Sequence, residues 1–250
     1  MTSESVRAAL ADGVLTLTLA RPDKKNALTD GMYGALADAV IQADADPAIR
    51  CVLFEAEGDG FCAGNDIADF ARIAMTGGAG DANVFRFLKA LAHSTTPLVA
   101  AVQGAAVGVG TTLLLHCDLV FVADDARLAT PFADLGLVPE AASSLLLPGR
   151  IGHVRAFSMF ALGERIDGPT AAAWGLANAC VPRPELAARA RTAALEIASR
   201  PPIALAQTKA LMRQAEAIAG VMDREAVLFV ERLQSDEARE AFMAFAARKR

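Results

Sequence analysis

The sequence predicts an α/β protein whose sheet coils rather than lying open, followed by a helical C-terminal part. Three observations carry this. Short apolar, β-branched runs alternate with helical segments. The connections between them are too short for the helices of a doubly wound sheet. From Pro148 onward the chain is Ala-rich, broken at Gly163, Gly168-Pro169, Pro182-Arg183-Pro184 and Pro201-Pro202, so the last hundred or so residues are expected to be all-helical.

In chain order, Val6–Leu10 and Val14–Leu19 flank the turn Ala11-Asp12-Gly13, and the second run alternates Leu with Thr, as a hairpin with one exposed face does. Arg21-Pro22-Asp23-Lys24-Lys25-Asn26 is a polar turn. Thr29 then caps a helix that places Leu36, Val40 and Ile41 on one side and ends near Asp46-Pro47. Cys51–Ala56 is a strand. Thr76-Gly77-Gly78-Ala79-Gly80 reads as a flexible break, and a helix resumes over Asn83–Ala92. Pro97–Val102 is a strand, Gly108–His116 a short helix, Leu119–Ala123 a strand, and a final helix starts near Asp236.

Composition narrows the function. The chain has 250 residues, 54% hydrophobic and 21% charged, enough to bury a large core. Its net charge of -5 argues against a nucleic-acid or anionic-membrane partner, which needs a basic surface. The four cysteines lack ligand spacing and read as buried reduced thiols. Met1–Leu10 carries Glu4 and Arg7 and lacks the apolar run of a secretory signal, so a cytoplasmic location is expected. Pro97–Ala123 is membrane-like in hydropathy but holds Gln103, His116, Asp118 and several glycines, and reads as buried core.

Two loops each follow an apolar strand and open a helix: Phe61-Cys62-Ala63-Gly64-Asn65-Asp66 and Gly104-Ala105-Ala106-Val107-Gly108-Val109-Gly110. Backbone N–H groups at such places lack intrahelical acceptors, and two converging donors make an oxyanion hole. Glycine spacing alone fits tight strand-to-helix turns equally well. A dinucleotide fingerprint is set aside, because Gly108-Val109-Gly110-Thr111-Thr112-Leu113 lacks the third glycine. His93, His116 and His153 stand singly, without a zinc-ligand pattern.

These two loops, Cys117-Asp118 before a strand, and the Arg21–Leu28 turn together resemble the crotonase (enoyl-CoA hydratase/isomerase) family over nearly the whole chain, including the final Phe245 and Lys249. The resemblance implies a coiled repeat of ββα units over residues 1–195 holding an acyl-CoA site, and a helical oligomerisation region over 196–250. It implies assembly as a homotrimer or a dimer of trimers. The backbone N–H groups of Ala63 and Val109 are then expected to hold a thioester oxygen. Lys24, Ala63, Gly64, Asn65, Asp66 and Ile67 are expected to line the coenzyme A path, with Gly108 allowing close approach. Asp66 reads equally as the cap of a following helix. No separate cofactor is implied, coenzyme A being part of the substrate.

Hydratases of this family carry two glutamates that activate water; this chain has Thr112 and Phe132 there. The segment Pro131–Ser144 instead resembles the Δ3,Δ2-enoyl-CoA isomerase branch, in which one acid at the position of Glu140 is the base. A single carboxylate suffices for a 1,3 proton shift. Glu140 is flanked by Leu135, Leu137 and Val138 and by Leu145–Leu147, and desolvation there strengthens it as a base. An ordinary first-turn helix acid is the plainer reading of the same residue. Asp134 ranks second as base. Hydration or other acyl-CoA chemistry, and acyl-CoA binding without turnover, are the competing readings.

Overall fold

A computed structural model describes residues 5–66 and 83–247, with side chains through residue 244. Ile67, the 76–80 glycine segment and Lys249 lie outside the described residues, as does the side chain of Phe245.

The chain opens with the expected hairpin, β1 (Val6–Ala11) against β2 (Val14–Leu19), closed by Asp12 and Gly13 at φ 55° and 76°. Helix α1 (Asp30–Ala45) begins at Thr29, whose hydroxyl oxygen accepts from the Met32 N–H at 3.3 Å. There follow β3 (Cys51–Ala56), α2 (Asn83–His93), β4 (Leu98–Val102) and β5 (Ala105–Val107). The short α3 (Val109–Thr112) continues as a 3-10 turn over Leu113–His116 and leads to β6 (Leu119–Ala123) and β7 (Arg127–Ala129).

The later part holds α4 (Ser143–Ile151), α5 (His153–Ala161), β8 (Ile166–Asp167), α6 (Gly168–Ala173), β9 (Ala179–Val181) and α7 (Arg183–Ala198). Helices α8 (Pro202–Met212), α9 (Ala215–Leu233) and α10 (Asp236–Ala247) complete the described chain. The expectation of an all-helical end is therefore corrected: β9 pairs in parallel with β6, and β8 pairs with β7. Runs as short as Ala179–Val181 are too brief to show a period of two, and tertiary pairing alone makes them strands.

One sheet has the order β1-β2-β3-β4-β6-β9 and the other β5-β7-β8. Successive strands pass from the first sheet to the second and back (β4 then β5, β6 then β7), which is the coil the short connections predicted. The large sheet is parallel from β2 onward and covered on both faces, as such sheets are. Alternation sorts the residues. Val52, Phe54, Leu98, Ala100, Val120 and Val122 face the core shared with α1 and α2. Cys51, Leu53, Val99, Ala101, Phe121 and Ala123 face Leu186, Ala190 and Ala194 of α7. The membrane-like 97–123 stretch is the middle of this core, and among the described residues no helix is long and apolar enough to cross a membrane. Cys51, Cys62 and Cys117 are buried thiols and Cys180 is half-buried.

Candidate active site

The Phe61–Asp66 loop is stitched between two neighbours. On one side the Cys62 N–H donates to the Ala105 carbonyl at 3.0 Å, and the Val107 N–H to the Cys62 carbonyl at 2.9 Å. On the other, the Leu28 N–H donates to the Gly64 carbonyl at 2.8 Å and the Asp66 N–H to the Leu28 carbonyl at 2.9 Å. Asn26, fully buried in the Arg21–Leu28 turn, adds a brace: its amide donates to the carbonyls of Glu57 at 2.8 Å and Gly60 at 2.9 Å.

This stitching corrects one expectation. The Ala63 N–H donates to the Lys25 carbonyl at 3.0 Å and is not available to a ligand. In a parallel bridge the residue opposite its partner is bonded through its neighbours, so with Leu28 opposite Asn65 the Asn65 N–H points away from Leu28. Among the described residues it has no acceptor, and neither does the Val109 N–H at the start of α3. The loop supplies one open donor, as the sequence indicated, two residues along from Ala63.

Glycine allows the two segments to meet. A Cβ on Gly110 would lie 2.6 Å from the Cys62 carbonyl oxygen, and one on Gly64 3.1 Å from that of Val107. Gly108 differs: at φ 57° and ψ -120° it occupies backbone space that side chains disfavour, and a Cβ there would meet nothing within 4 Å. It faces open space beside the free Val109 N–H.

Glu140 reaches this place from the other direction. It is buried, and its Oε1 accepts the Thr112 hydroxyl at 2.5 Å. Burial pushes its carboxyl up to about 7; the Thr112 hydrogen bond opposes the shift and the charge of Glu225 adds to it. Glu140 does not sit in a helix first turn: α4 begins at Ser143, and Ala141 and Ala142 between them take positive φ values of 62° and 54°. Alanine rarely adopts that conformation unless its surroundings impose it.

Those surroundings are specific. The His116 Nε2–H donates to the Ala141 carbonyl at 2.8 Å, while the Arg213 guanidinium donates to Nδ1. Burial, and then Arg213, push this histidine down to about 3, so it is neutral and of one tautomer. The Glu225 carboxylate, 7% exposed on α9, accepts from the Ala142 N–H at 2.6 Å and the Ser144 N–H at 2.9 Å. Tyr33, the single tyrosine, donates to Asn65 Oδ1, and its phenol is pushed up by burial, then by Glu140 and Cys62. An apolar cleft runs from Glu140 and Asn65 between α2 and α9, walled by Val84, Leu88, Met222 and Phe229.

The remaining expected residues fall as follows. Lys24 is exposed on a 3-10 turn over Pro22–Lys24, and Asp66 pairs with Arg21 at 2.7 Å. Whether Asp66 caps a helix lies outside the described residues. Asp134 is exposed on a turn against Gly163, away from this cluster, and Phe132 packs with Leu137, Phe160 and Phe229. The structure therefore brings Asn65, Gly108, Val109, Thr112 and Glu140 together and leaves Asp134 aside. Sequence reasoning missed Tyr33, the binding partners of His116, and Glu225.

Comparison with known proteins bears on the fold and the family. Residues 10–250 match the family described as Enoyl-CoA hydratase/isomerase. The 1,2-epoxyphenylacetyl-CoA isomerase of Escherichia coli strain K12 is 37% identical over 210 residues, 82% of this chain and 80% of that protein. Enoyl-CoA delta isomerase 2 of Rattus norvegicus is 34% identical over 245 residues, covering 95% of this chain but 62% of that longer protein. The crystal structure of an enoyl-CoA hydratase/isomerase from Pseudoalteromonas atlantica T6c superposes with a TM-score of 0.93 at 42% identity, over 98% of both chains. By fold and by sequence over almost its full length, the chain belongs to the enoyl-CoA hydratase/isomerase family.

Proposed function

We propose that the protein converts 3-enoyl-CoA thioesters to 2-enoyl-CoA thioesters with Glu140 as the single acid-base group. The observation that carries this is one buried carboxyl, poised near 7, beside two backbone N–H groups without acceptors. The thioester oxygen takes the N–H groups of Asn65 and Val109, each such donor contributing about 10²–10³ in rate. The Glu140 carboxylate removes a proton from C2, and the electron pair delocalises over the C3=C4 bond and the thioester as a dienolate. The resulting acid delivers a proton to C4, leaving the double bond between C2 and C3 and Glu140 ionised again. Nothing is added or lost.

Thr112 and Phe132 stand where water-activating carboxylates would be needed, and Glu225 is committed to two amides, which favours isomerisation over hydration. Gly108, at its open position, admits the thioester, and the apolar cleft between α2 and α9 takes the acyl chain; in this reading Lys24 and the 63–66 segment line the coenzyme A path. Exposed Ile203, Leu211 and Met212 on α8 and Val227 on α9 supply the apolar surface for a trimer, which sedimentation would test. For the reaction, the protein is incubated with 3-hexenoyl-CoA and separately with 2-hexenoyl-CoA. Conjugation of the first without hydration of the second is expected; an added water on either overturns the reading.

A further inference from the structure

We infer that Glu225 is the positioning residue for the base: from α9 it holds the strained Ala141-Ala142 turn and thereby fixes the place and ionisation of the Glu140 carboxyl. The inference rests on Glu140 being the acid-base group.

Helix α4 has no capping side chain of its own; its N-cap is Ala142, in the left-handed conformation. The role that a neighbouring Ser or Asp usually takes falls to Glu225, far along the chain. Its Oε2 accepts from the Ala142 N–H and its Oε1 from the Ser144 N–H. Glu225 and Ala142 are both buried, so that bond is not traded for water, while Ser144 lies at the exposed edge of the helix start. On the opposite side His116 holds the Ala141 carbonyl. The Ala141–Ala142 peptide is thus gripped at both its carbonyl and its N–H, and Glu140, immediately before it, has little freedom to leave Thr112.

Glu225 also lines the same cleft as Glu140, so its charge is felt there. The other groups facing Glu140 are Tyr33 from α1 and Cys62 from the 61–66 loop, both neutral, and the Thr112 hydroxyl on α3. The Lys89–Asp223 ion pair, 2.9 Å long, lies on the cleft wall. Glu225 is therefore the one buried anion among the described residues placed to act on the base. Because α9 also supplies Met222 and Phe229 to the cleft, the same helix that contacts the acyl chain sets the base.

The test uses Glu225→Gln, which removes the charge and one of the two acceptors, and Glu225→Asp, which keeps the charge but shortens the reach. Steady-state rates with 3-hexenoyl-CoA are recorded against pH, and the Glu140 carboxyl is titrated by carbon NMR in the unliganded protein. For Glu225→Gln, kcat is expected to fall roughly tenfold or more with KM nearly unchanged, since the base is misplaced while ligand contacts remain. The acid limb and the NMR titration both move to lower pH, by roughly half a unit or more, since a like charge has been removed. Glu225→Asp is expected to lose rate with a smaller shift of the limb.

An unshifted titration in Glu225→Gln with wild-type kcat overturns the inference. So does a loss of rate matched by an equal loss of folded protein with the limb in place. If the wild-type protein does not isomerise at all, the isomerase reading fails on its own, and the NMR titration still decides the role of Glu225.

Discussion

Thr112 donates a 2.5 Å hydrogen bond to Glu140, joining the turn that carries the free Val109 N–H to the carboxyl proposed as base. The Thr112 N–H in turn donates to the Gly108 carbonyl at 2.9 Å, so donor, open glycine and base share one short piece of backbone. The residue that denies the chain a second carboxylate at this position thus tethers the one it has. The bond favours the ionised form and opposes the burial that raises Glu140 to about 7.

Thr112→Val removes that donor at nearly constant volume. The carboxyl should rise further, because burial then acts without its main opposing contact. The limb on which activity increases with pH, expected near 7 in the wild-type protein, should move to higher pH, and kcat at neutral pH should fall several-fold. A pH-rate profile of both proteins checks this.

Glu140→Gln should cost about 10²–10⁴ in kcat with acyl-CoA affinity retained, measured by turnover and by calorimetric binding.

The same substitution should change stability with a definite sign. The folded-state value of about 7 lies above the ordinary 4.5, so the folded protein holds its proton more tightly than the unfolded chain. Stability contributed by this group is present below about pH 4.5 and is lost as pH rises through 7, to a total of about 3 kcal/mol. Glu140→Gln should therefore be more stable than wild type at pH 8, and the gap should close near pH 4.5. Denaturant melts at both pH values measure it.

The two candidate donors can be separated from the engaged one by backbone chemistry. Replacing the peptide N–H of Val109 or Asn65 by an ester oxygen should lower kcat by about 10²–10³. The same change at Ala63 removes only its bond to Lys25 and should cost about 1 kcal/mol of stability, with kcat little altered.

Gly108→Ala meets no steric neighbour within 4 Å, yet forces alanine to φ 57° and ψ -120°. A strain of roughly 1–3 kcal/mol is expected, together with a raised KM, because the new methyl projects into the space proposed for the thioester.

Much of the architecture was legible because its signals are local. β2 and β3 were bounded correctly by alternation and apolar runs, and Thr29 announced the start of α1. β5, β7, β8 and β9 escape the sequence reading because so few residues carry no period, only pairing. The glycine-rich loops signalled free N–H groups, but whether Ala63 or Asn65 is open depends on register against Leu28, which no local pattern records. Glu140 was legible as a carboxylate in apolar surroundings. Its setting before two left-handed alanines was not, because alanine carries no such preference and the conformation is imposed by His116 and Glu225. Glu225 itself, within Asp223-Arg224-Glu225, reads as a solvated helix face until α9 is packed.

The most direct test of the central claim is to incubate the protein with 3-hexenoyl-CoA deuterated at C2, and to locate the label and double bond in the product by mass spectrometry and NMR. One carboxyl carrying a proton between C2 and C4 predicts 2-hexenoyl-CoA with part of the deuterium at C4 at early times, and no such product from Glu140→Gln. No conjugated product from the wild-type protein, or a product carrying an added water, would contradict the account.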